Sequence, residues 1–351
     1  MKQVIIRIAA YFSGVALLWG CFGEYGPHRK PEGSVIDFQA GTSLLLGDDD
    51  TRAATLHPTT FSASEEFSVF AVYNNDTITP VFNGVTVTFN GSAWGYSDAK
   101  HWDWSRPEDR YDFTAVCPAS AGASRLRGAP GRLTVVTDYD ITSDNFDLMV
   151  ALYSRSGEGT MEQKTATVPM TFNHRLTAVR IDVINVSGEG SFTVDSTWFE
   201  NVINRATLKS NLTSVGKENH QWIDAERSSL PVRKEKLTSD PRNPLSPKDT
   251  LKGAYNLLIP QRLDNGVNLP ALKLSYTYTP SGGVTTNVIS PPIYLKDILD
   301  KAGNDPITEW KQGYAYLYEI SLRLDGGVEV RVVTTDWDEV TFETPGIMIP
   351  E

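Results

Sequence analysis

The sequence predicts an all-β protein built from β-sandwiches, and three observations support this. Short segments rich in β-branched and aromatic residues alternate between apolar and polar positions, which is typical of half-buried strands. Turn residues separate these segments, and Asn83-Gly84 is a clear hairpin signal. A helical pattern is plausible only at residues 293–303. The length of 351 residues suggests two sandwiches, with a boundary near residues 169–174.

The predicted strands of the first half begin at residue 67. In residues 85–89 (VTVTF), the two valines and the phenylalanine fall on one face and the threonines on the other, as in a strand with one buried face. The remaining strand candidates of this half are residues 67–73, 93–96, 110–116, 132–139, 147–153 and 166–172.

The second half repeats this pattern. Leu272, Leu274 and Tyr276 share one face of a predicted strand at 272–279. Residues 214–252 are polar and contain several prolines, so they are interpreted as a long surface loop or insertion. The other strand candidates are residues 176–186, 191–199, 255–260, 314–324 and 328–333.

Composition and charge narrow the functional classes. Hydrophobic residues make up 40% of the chain and charged residues 21%, which is ordinary for a protein with a buried core. The formal net charge of -11 repels nucleic acid, and no basic cluster with interleaved aromatic residues offsets it. We therefore expect no nucleic-acid partner.

The N-terminus has the pattern of a secretory signal, predicted at residues 1–20. Lys2 and Arg7 are followed by an uncharged run, residues 8–19, which is too short to span a membrane. Residues 21–34 are rich in glycine, proline and charge, so they are interpreted as a tether.

The uncharged run ends in LWGC, which is similar to a bacterial lipobox. Leu18 stands three places before Cys21 and a glycine directly before it, although Trp19 is unusual there. The pattern predicts lipidation of Cys21, with a thioether-linked diacylglycerol and an acyl chain such as palmitate on the freed amine. Several chains together anchor a protein almost irreversibly. The alternative is a disulfide with Cys117, which is otherwise predicted to be a buried structural thiol.

No constellation of residues predicts catalysis or a bound metal. The five histidines are scattered, and neither a zinc-hydrolase pattern nor a nucleophile elbow occurs. The aspartates of residues 137–147 do not have the spacing of a calcium-binding loop, so a strand end with a solvated turn is the better interpretation. We expect neither enzymatic activity nor a cofactor. The aspartates concerned are Asp138, Asp140, Asp144 and Asp147.

Residues 100–113 (KHWDWSRPEDRYDF) are the best candidate for a small-molecule site, because sugar sites combine aromatic platforms with carboxylates. The alternative, which we favour, is that Trp102, Tyr111 and Phe113 pack in or beside a sandwich core. His174 lies on the apolar face of a predicted strand. It is expected to be structural, through a hydrogen bond to a backbone group.

Several segments, taken in order, resemble the fimbrillin family, the pilins of type V pili of anaerobic Gram-negative bacteria. The most characteristic is MTFNHRLTAVRIDV, residues 170–183, with Phe-x-His-x-Leu at the entry to a strand. The others are FSVFAVY, VTFNGSAWGYSDAKHWDW, YDFTAVCP, DLMVALY, NLLIPQ, EWKQGYAYLYEISL and DWDEV. The resemblance covers nearly the whole chain; the stretch at 214–252 and the lipobox depart from the family pattern.

The resemblance implies two tandem transthyretin-like β-sandwiches, here residues 35–170 and 171–351. It also implies export as an outer-membrane lipoprotein, assembly at the cell surface and no enzymatic activity. In this family a trypsin-like protease cuts after a basic residue and removes a leading strand, and a strand of a neighbouring subunit fills the groove. Such strand addition supplies backbone hydrogen bonds and side chains for the core. In a stalk pilin the cut discards the lipid, whereas an anchor subunit keeps it.

Arg52, followed by Ala53, is the best candidate for this processing site. It lies in a stretch of small and polar residues near the start of the predicted domain, as a protease requires. An incidental arginine in a solvated connection explains the same pattern. If the cut occurs, residues 35–46 are the strand that is released, and residues 340–349 are the candidate donor strand.

The sequence therefore predicts a structural or adhesive pilus subunit. The alternative is a surface lipoprotein that binds a glycan or host ligand without polymerising. Oligomers after protease treatment favour the first function, whereas a persistent monomer retained by glycan beads favours the second.

Overall fold

The computed structural model describes residues 33–43, 56–57, 64–127, 133–144, 146–212, 218–235, 245–323 and 327–336. β-strands dominate these residues, which confirms the all-β prediction. Helical structure in the described ranges is limited to the short helix α1 (Met161–Thr165) and 3₁₀ turns at Ala119–Ala121 and Leu295–Asp297.

The strands follow one another closely along the chain. The earlier ones are β1 (Phe38–Ser43), β2 (Leu56–His57), β3 (Glu66–Tyr73), β4 (Phe82–Phe89), β5 (Trp94–Gly95), β6 (Arg110–Cys117), β7 (Ser124–Arg127), β8 (Leu133–Asp140), β9 (Met149–Ser156) and β10 (Val168–His174). The later ones are β11 (Thr177–Asn185), β12 (Ser191–Glu200), β13 (Ile203–Leu212), β14 (Glu218–Arg227), β15 (Val232–Glu235), β16 (Thr250–Lys252), β17 (Asn256–Leu258), β18 (Gln261–Arg262), β19 (Ala271–Thr279), β20 (Thr286–Ile289), β21 (Ile293–Tyr294), β22 (Glu309–Trp310), β23 (Tyr314–Leu322) and β24 (Val328–Asp336).

The largest sheet, sheet A, has the strand order β2-β1-β10-β9-β6-β3-β4-β5. β1 and β10 run parallel, and the other neighbours in this sheet run antiparallel. Although β1 and β5 stand near opposite ends of this order, Val35 forms a bridge with His101, a few residues after β5. The sheet therefore curls until its two ends meet.

The remaining strands form smaller sheets. Sheet B has the order β14-β13-β8-β7, sheet C the order β16-β11-β23-β24 with β17 beside β11, and sheet D the order β15-β12-β19-β20 with β21 beside β19. β18 and β22 form a two-stranded ribbon. In sheet C, β11 and β23 run parallel along their whole length.

Two hydrophobic cores result from this arrangement. One lies inside the curl of sheet A and is rich in aromatic residues, among them Phe38, Phe67 and Phe113. The other joins the outer face of sheet A to sheet B and continues into sheets C and D. Because β3 and β6 contribute to both cores, nearly every residue in them is buried, whereas β10 alternates between buried and half-buried positions.

The helix predicted at residues 293–303 is wrong. β21 and a 3₁₀ turn occupy its first half, and the Lys301 amide then donates to the Val332 carbonyl at 3.0 Å. This segment covers the outer edge of β24, so tertiary hydrogen bonding outweighs a weak helical pattern. The observed helix α1 begins at a capping box of Thr160 and Gln163, a signal that the sequence does carry.

For residues 214–252 the loop alternative is wrong in the described part, because β14, β15 and β16 lie there, and the insertion stays a prediction. β14 pairs along most of β13 and none of its residues is fully buried. A polar sequence suits such an edge strand, which explains why the apolar pattern of a strand is missing.

Strand pairing does not follow the predicted division after residue 170. β13 and β14 come from the predicted second domain, yet β13 pairs with β8 of the first, from Arg205 opposite Asp140 to Asn211 opposite Thr134. The chain thus returns to complete the layer that covers sheet A. The division into 35–170 and 171–351 stays a prediction.

Candidate functional site: the groove of the first strand

The residues predicted to be modified or cleaved, Cys21, Arg52 and Ala53, lie outside the described residues. The strands on either side of position 52 are described. β1 ends at Ser43, which pairs with Leu56 of β2 in an antiparallel ladder. Position 52 therefore belongs to the connection between β1 and β2, and a cut there would separate β1 from the rest of the chain.

One edge of β1 is hydrogen-bonded to β10. The two strands run parallel, with Phe38 opposite Val168, and the Val168 amide donates to the Asp37 carbonyl at 2.8 Å. The register continues to Thr42, opposite Phe172. This ladder fixes which residues of β1 face the aromatic core of sheet A.

The other edge is bound by residues 96–102, which we call the clasp. The Ile36 amide donates to the Lys100 carbonyl at 2.8 Å. The Tyr96 hydroxyl donates to the Ile36 carbonyl at 2.8 Å and accepts from the Lys100 amide at 3.2 Å. The chain at β1 is therefore held between two backbone partners, as an internal strand is, and not at an open sheet edge.

Two side chains fill the space between these partners. Ile36 is fully buried and Phe38 is 5% exposed. The Phe38 ring meets four others in edge-to-face geometry, which is favourable for aromatic pairs. The centroid distances are 5.5 Å to Phe82, 5.7 Å to Tyr96, 6.0 Å to Phe67 and 6.2 Å to Phe113. We call the space bounded by β10, the clasp and these rings the β1 groove.

The chain approaches the groove through Gly33. A Cβ atom built there would overlap the carbonyl oxygen of Trp102, so a larger residue cannot follow this course. The His101 ring Nδ1 donates to the Gly33 carbonyl. The entrance of the groove is thus set by backbone contact between Gly33 and the clasp.

A buried carboxylate orders the chain that follows the clasp. Asp109 is fully buried and accepts hydrogen bonds from the Tyr73 hydroxyl, from Asn74 Nδ2 at 2.8 Å and from the amides of Ser105 and Arg106 at 2.8 and 2.7 Å. Burial alone would raise the pKa of Asp109, but these hydrogen bonds outweigh it and lower the pKa to about 2. The side chain is therefore an ionised anchor for the turn that leads from the clasp into β6.

The aromatic residues of 100–113 belong to the core. Trp102, Tyr111 and Phe113 are 4%, 2% and 0% exposed, which confirms that they pack in the sandwich. The Trp104 ring stacks on Trp102 at 5.4 Å, and the Arg155 guanidinium lies 4.9 Å from the Trp102 ring. These rings pack in the core next to the clasp, and they do not form an exposed aromatic surface on which a sugar could stack.

His174 is buried. Its Nδ1 lies 2.6 Å from a carboxylate oxygen of Asp147, a side-chain partner that the sequence did not predict. β10 pairs with β9 at this point, with His174 opposite Met149, and this pairing brings the residues just before β9 beside the ring. The contact joins the end of β10 to the start of β9, which is a structural role.

The other aspartates of residues 137–147 stabilise the turn after β8 and the contact between β8 and β13. The Thr142 amide donates to Asp140 at 2.9 Å, and the Asp140 amide donates to Asp144 at 2.7 Å. Asp138 forms an ion pair with Arg205 at 2.6 Å. Among the described residues, no group of three or more His, Cys, Asp or Glu side chains could hold a metal ion.

Cys117 is a free, buried thiol at the end of β6, as predicted. Burial raises its pKa to about 12, so little thiolate is present near neutral pH. The side chain acts as a small apolar residue of the sheet A core.

A second concavity, of about 610 Å³, lies where β10 ends, beside the ribbon of β18 and β22. Gln261 in its floor accepts from the Ile203 amide at 3.0 Å, and the Lys311 amide donates to the Tyr316 hydroxyl at 3.0 Å. These bonds fix a polar surface with His174, Arg262 and Tyr314 on its walls.

In this all-β chain, the first described strand lies between β10 and the clasp and contributes to the aromatic core. The fimbrillin-like family model matches residues 51–337. The chain therefore belongs to the fimbrillin-like family, which confirms the resemblance seen in its segments.

One solved structure shares this fold. It is a fimbrial protein from Bacteroides vulgatus, which is 16% identical, with a TM-score of 0.53, over 77% of this chain and 92% of that one. The chain also has a weaker similarity to the tip fimbrial protein Mfa3 from Porphyromonas gingivalis, with a C-terminal truncation, which is 14% identical, with a TM-score of 0.34, over 78% and 95% of the two chains. No match was found among curated proteins. None of the helices in the described ranges has the length and apolar character needed to cross a membrane.

Proposed function

We propose that this protein is a subunit of a surface pilus, structural or adhesive, that assembles by exchange of its first strand. In this proposal a protease cuts after Arg52, β1 leaves the β1 groove, and a strand of a neighbouring subunit takes its place. The role is structural and not enzymatic. The family and the fimbrial relatives support a pilus or adhesion subunit.

The observation that carries the proposal is the position of β1 relative to Arg52. β1 and the residues just before it contribute Phe38 and Ile36 to the aromatic core. Covalently this segment is joined to the following chain only through the connection that contains position 52. One cut would convert an intramolecular strand into a bound peptide. Its effective concentration would then fall, and a strand from another molecule could compete for the groove.

β1 would not leave the groove unaided. Burial of Ile36 and Phe38 is worth roughly 1.5–3 kcal/mol each, to which the two hydrogen-bonded edges add. An empty groove would expose Phe67, Phe82 and Phe113 to water. Replacement by another strand avoids this exposure, so exchange and not simple release is the favourable course.

Delivery to the cell surface follows from the lipobox. We propose that Cys21 carries the acyl chains that bring the precursor to the outer membrane, where the partners are other pilin subunits. This part of the proposal rests on the apolar run that ends in LWGC.

Limited trypsin digestion tests the proposal. The native chain should be cut first after Arg52, and the cut protein should form ladders of oligomers on mild SDS gels over hours. Arg52→Ala protein should stay monomeric, and Arg323→Ala, which changes an exposed arginine directly after β23, should leave the first cut unaffected. Resistance of Arg52 to trypsin, or equal oligomerisation of cut and uncut protein, would contradict the mechanism.

The second candidate function is a non-polymerising lipoprotein that binds a glycan or host ligand. The polar concavity beside β18 and β22 favours it, because Tyr314 offers an aromatic ring among hydrogen-bonding side chains. A monomer that persists after cleavage and is retained by glycan beads would support this function over assembly.

A further inference from the structure

We propose that β14 is an acid-sensitive strand: a buried cluster of Arg175, Glu218 and His220 holds its first half in place, and protonation of His220 releases that half from the edge of sheet B. This release requires neither cleavage nor strand exchange at the β1 groove, so it is independent of the proposed function.

β14 depends on few contacts for its place. It is the last strand of sheet B, and β13 is its backbone neighbour in the described part of the chain. The ladder is regular from Thr207 opposite Ile223 to Leu212 opposite Glu218, but two register shifts interrupt it between Ile203 and Thr207. Since none of the residues of β14 is fully buried, apolar burial contributes less here than in a central strand. Polar side-chain contacts therefore carry much of the attachment.

The cluster lies at the first residues of β14. One carboxylate oxygen, Oε2 of Glu218, lies 3.4 Å from Arg175 Nη2 and 2.9 Å from His220 Nε2. On the other side of the ring, His220 Nδ1 lies 2.9 Å from the Ser210 hydroxyl of β13. Trp222 adds a hydrogen bond from its Nε1 to the Arg175 carbonyl at 3.2 Å. Because Arg175 directly follows β10, the cluster joins β14 both to its own sheet and to sheet A.

The geometry around His220 fits a neutral imidazole. With its proton on Nε2, the ring donates to Glu218 and accepts at Nδ1 from the Ser210 hydroxyl, so both nitrogens have a partner. A second proton, on Nδ1, would face the Ser210 oxygen, and that hydroxyl could no longer donate to the ring. Ser210 is 1% exposed, so water does not reach it to accept the displaced hydrogen bond.

Charge balance favours the same form of the ring. The charged side chains that act on His220 are Arg175, from the chain after β10, and Glu218, from β14 itself, while β13 faces the ring with the neutral Ser210. Among the described residues the Arg175 Nε has no hydrogen-bond partner, which leaves Glu218 as the counter-charge of the guanidinium. A protonated imidazole would therefore add an unbalanced positive charge to a largely enclosed space.

Acid acts on β14 through this ring. Burial, together with the Arg175 charge, lowers the pKa of His220 from 6.5 to about 4, although Glu218 opposes this shift. Because the folded-state pKa lies below that of a released ring, the stabilisation is complete above about pH 6.5 and is lost as the pH falls toward 4. The equilibrium constant for opening should thus rise about thirtyfold between pH 8 and pH 5. Burial would raise the pKa of Glu218, but its contacts with His220 and Arg175 outweigh burial and lower it, so this carboxylate stays ionised at pH 5.

The opening should be confined to the first half of β14. At the other end of the strand, the Arg227 guanidinium donates to the Asn201 carbonyl at 2.8 Å and to Gln261 Oε1 at 3.1 Å. These bonds involve no member of the cluster, so this end should stay in place while residues 218–223 leave. The edge of β13 that faces them would then be unpaired, and an open edge of this kind can accept a further strand.

Hydrogen exchange of the full chain at several pH values between 8 and 5 tests the release, with rates corrected for the intrinsic pH dependence of exchange. Protection of residues 218–223 should fall about thirtyfold over this range while β6 keeps its protection. His220→Gln should abolish the fall, because glutamine forms hydrogen bonds but does not titrate. Gln221→Ala is the matched control on the same strand, since Gln221 is exposed, and it should retain the fall.

A histidine NMR titration of the wild-type protein is the second measurement and needs no variant. The His220 ring signal, assigned through its own backbone amide, should keep its neutral position down to pH 5. Titration of this ring near pH 6.5 in the folded protein would overturn the inference. So would constant protection of residues 218–223, a fall that persists in His220→Gln, or a parallel loss of protection in β6, which would indicate global unfolding.

Discussion

Phe38→Ala should loosen β1 without unfolding the rest of sheet A. Phe38 is 5% exposed, and its replacement by alanine removes a ring that packs edge-to-face against four others. Such truncations cost about 3–5 kcal/mol. If β1 detaches locally, the free energy of that opening falls by this amount. Amide hydrogen exchange in β1 should then accelerate at least about a hundredfold.

Hydrogen exchange followed by mass spectrometry measures this effect. Exchange should accelerate in peptides that report the edges of β1, namely residues 33–43, the clasp and the start of β10, while the central strand β6 keeps its protection. Gln39→Ala is the matched control, because Gln39 is exposed and its replacement should change stability by less than about 0.5 kcal/mol. Unchanged exchange of β1, or equal acceleration in β6, would refute the view that β1 is a separable element.

Three further changes test other parts of the molecule. Cys21→Ala should leave the precursor in the inner membrane, and mass spectrometry of the wild-type mature N-terminus should show diacylglyceryl-cysteine; normal delivery of the variant would contradict lipidation. His174→Gln should lower the melting temperature because it removes the contact with Asp147, whereas stoichiometric zinc in the purified wild-type protein would overturn the structural role. The folded-state pKa of Asp109 lies below its unfolded value, so its stabilisation is present above about pH 4 and is lost as the pH falls toward 2. Asp109→Asn should lower the free energy of unfolding in urea at pH 7 by about 1–3 kcal/mol, and it should reduce the loss of stability between pH 4 and 2. An unchanged loss of stability in that range would exclude this carboxylate as its source.

Much of the fold could be predicted because its strands carry their pattern locally. β10 and β19 alternate between buried and half-buried residues as their sequences alternate, and β3 and β6 read as continuous apolar runs because both of their faces are covered. The polar strand β14 could not be predicted in this way. Its place beside β13 depends on backbone pairing at a sheet edge, which needs no apolar residue.

The groove could be predicted only in part. The sequence indicates a strand at residues 35–46, and β1 lies there from Phe38 to Ser43. The clasp was not predicted, and Tyr96 in particular carried no signal, because its hydroxyl acts on Ile36, which is distant in sequence. Likewise, the sequence identified His174 as buried but not its contact with Asp147, which depends on the register between β9 and β10.

The sequence by itself determined that this protein is all-β, that it resembles the fimbrillin family, and that a strand lies within residues 35–46. These properties follow from side-chain periodicity and local motifs, which any single segment carries. Only the tertiary structure decided that sheet A curls until its ends meet, and that β1 closes it between β10 and the clasp. Closure brings together backbone groups that are far apart in the chain. Closure depends on the twist and register of all the intervening strands, and no local sequence pattern encodes their combined effect.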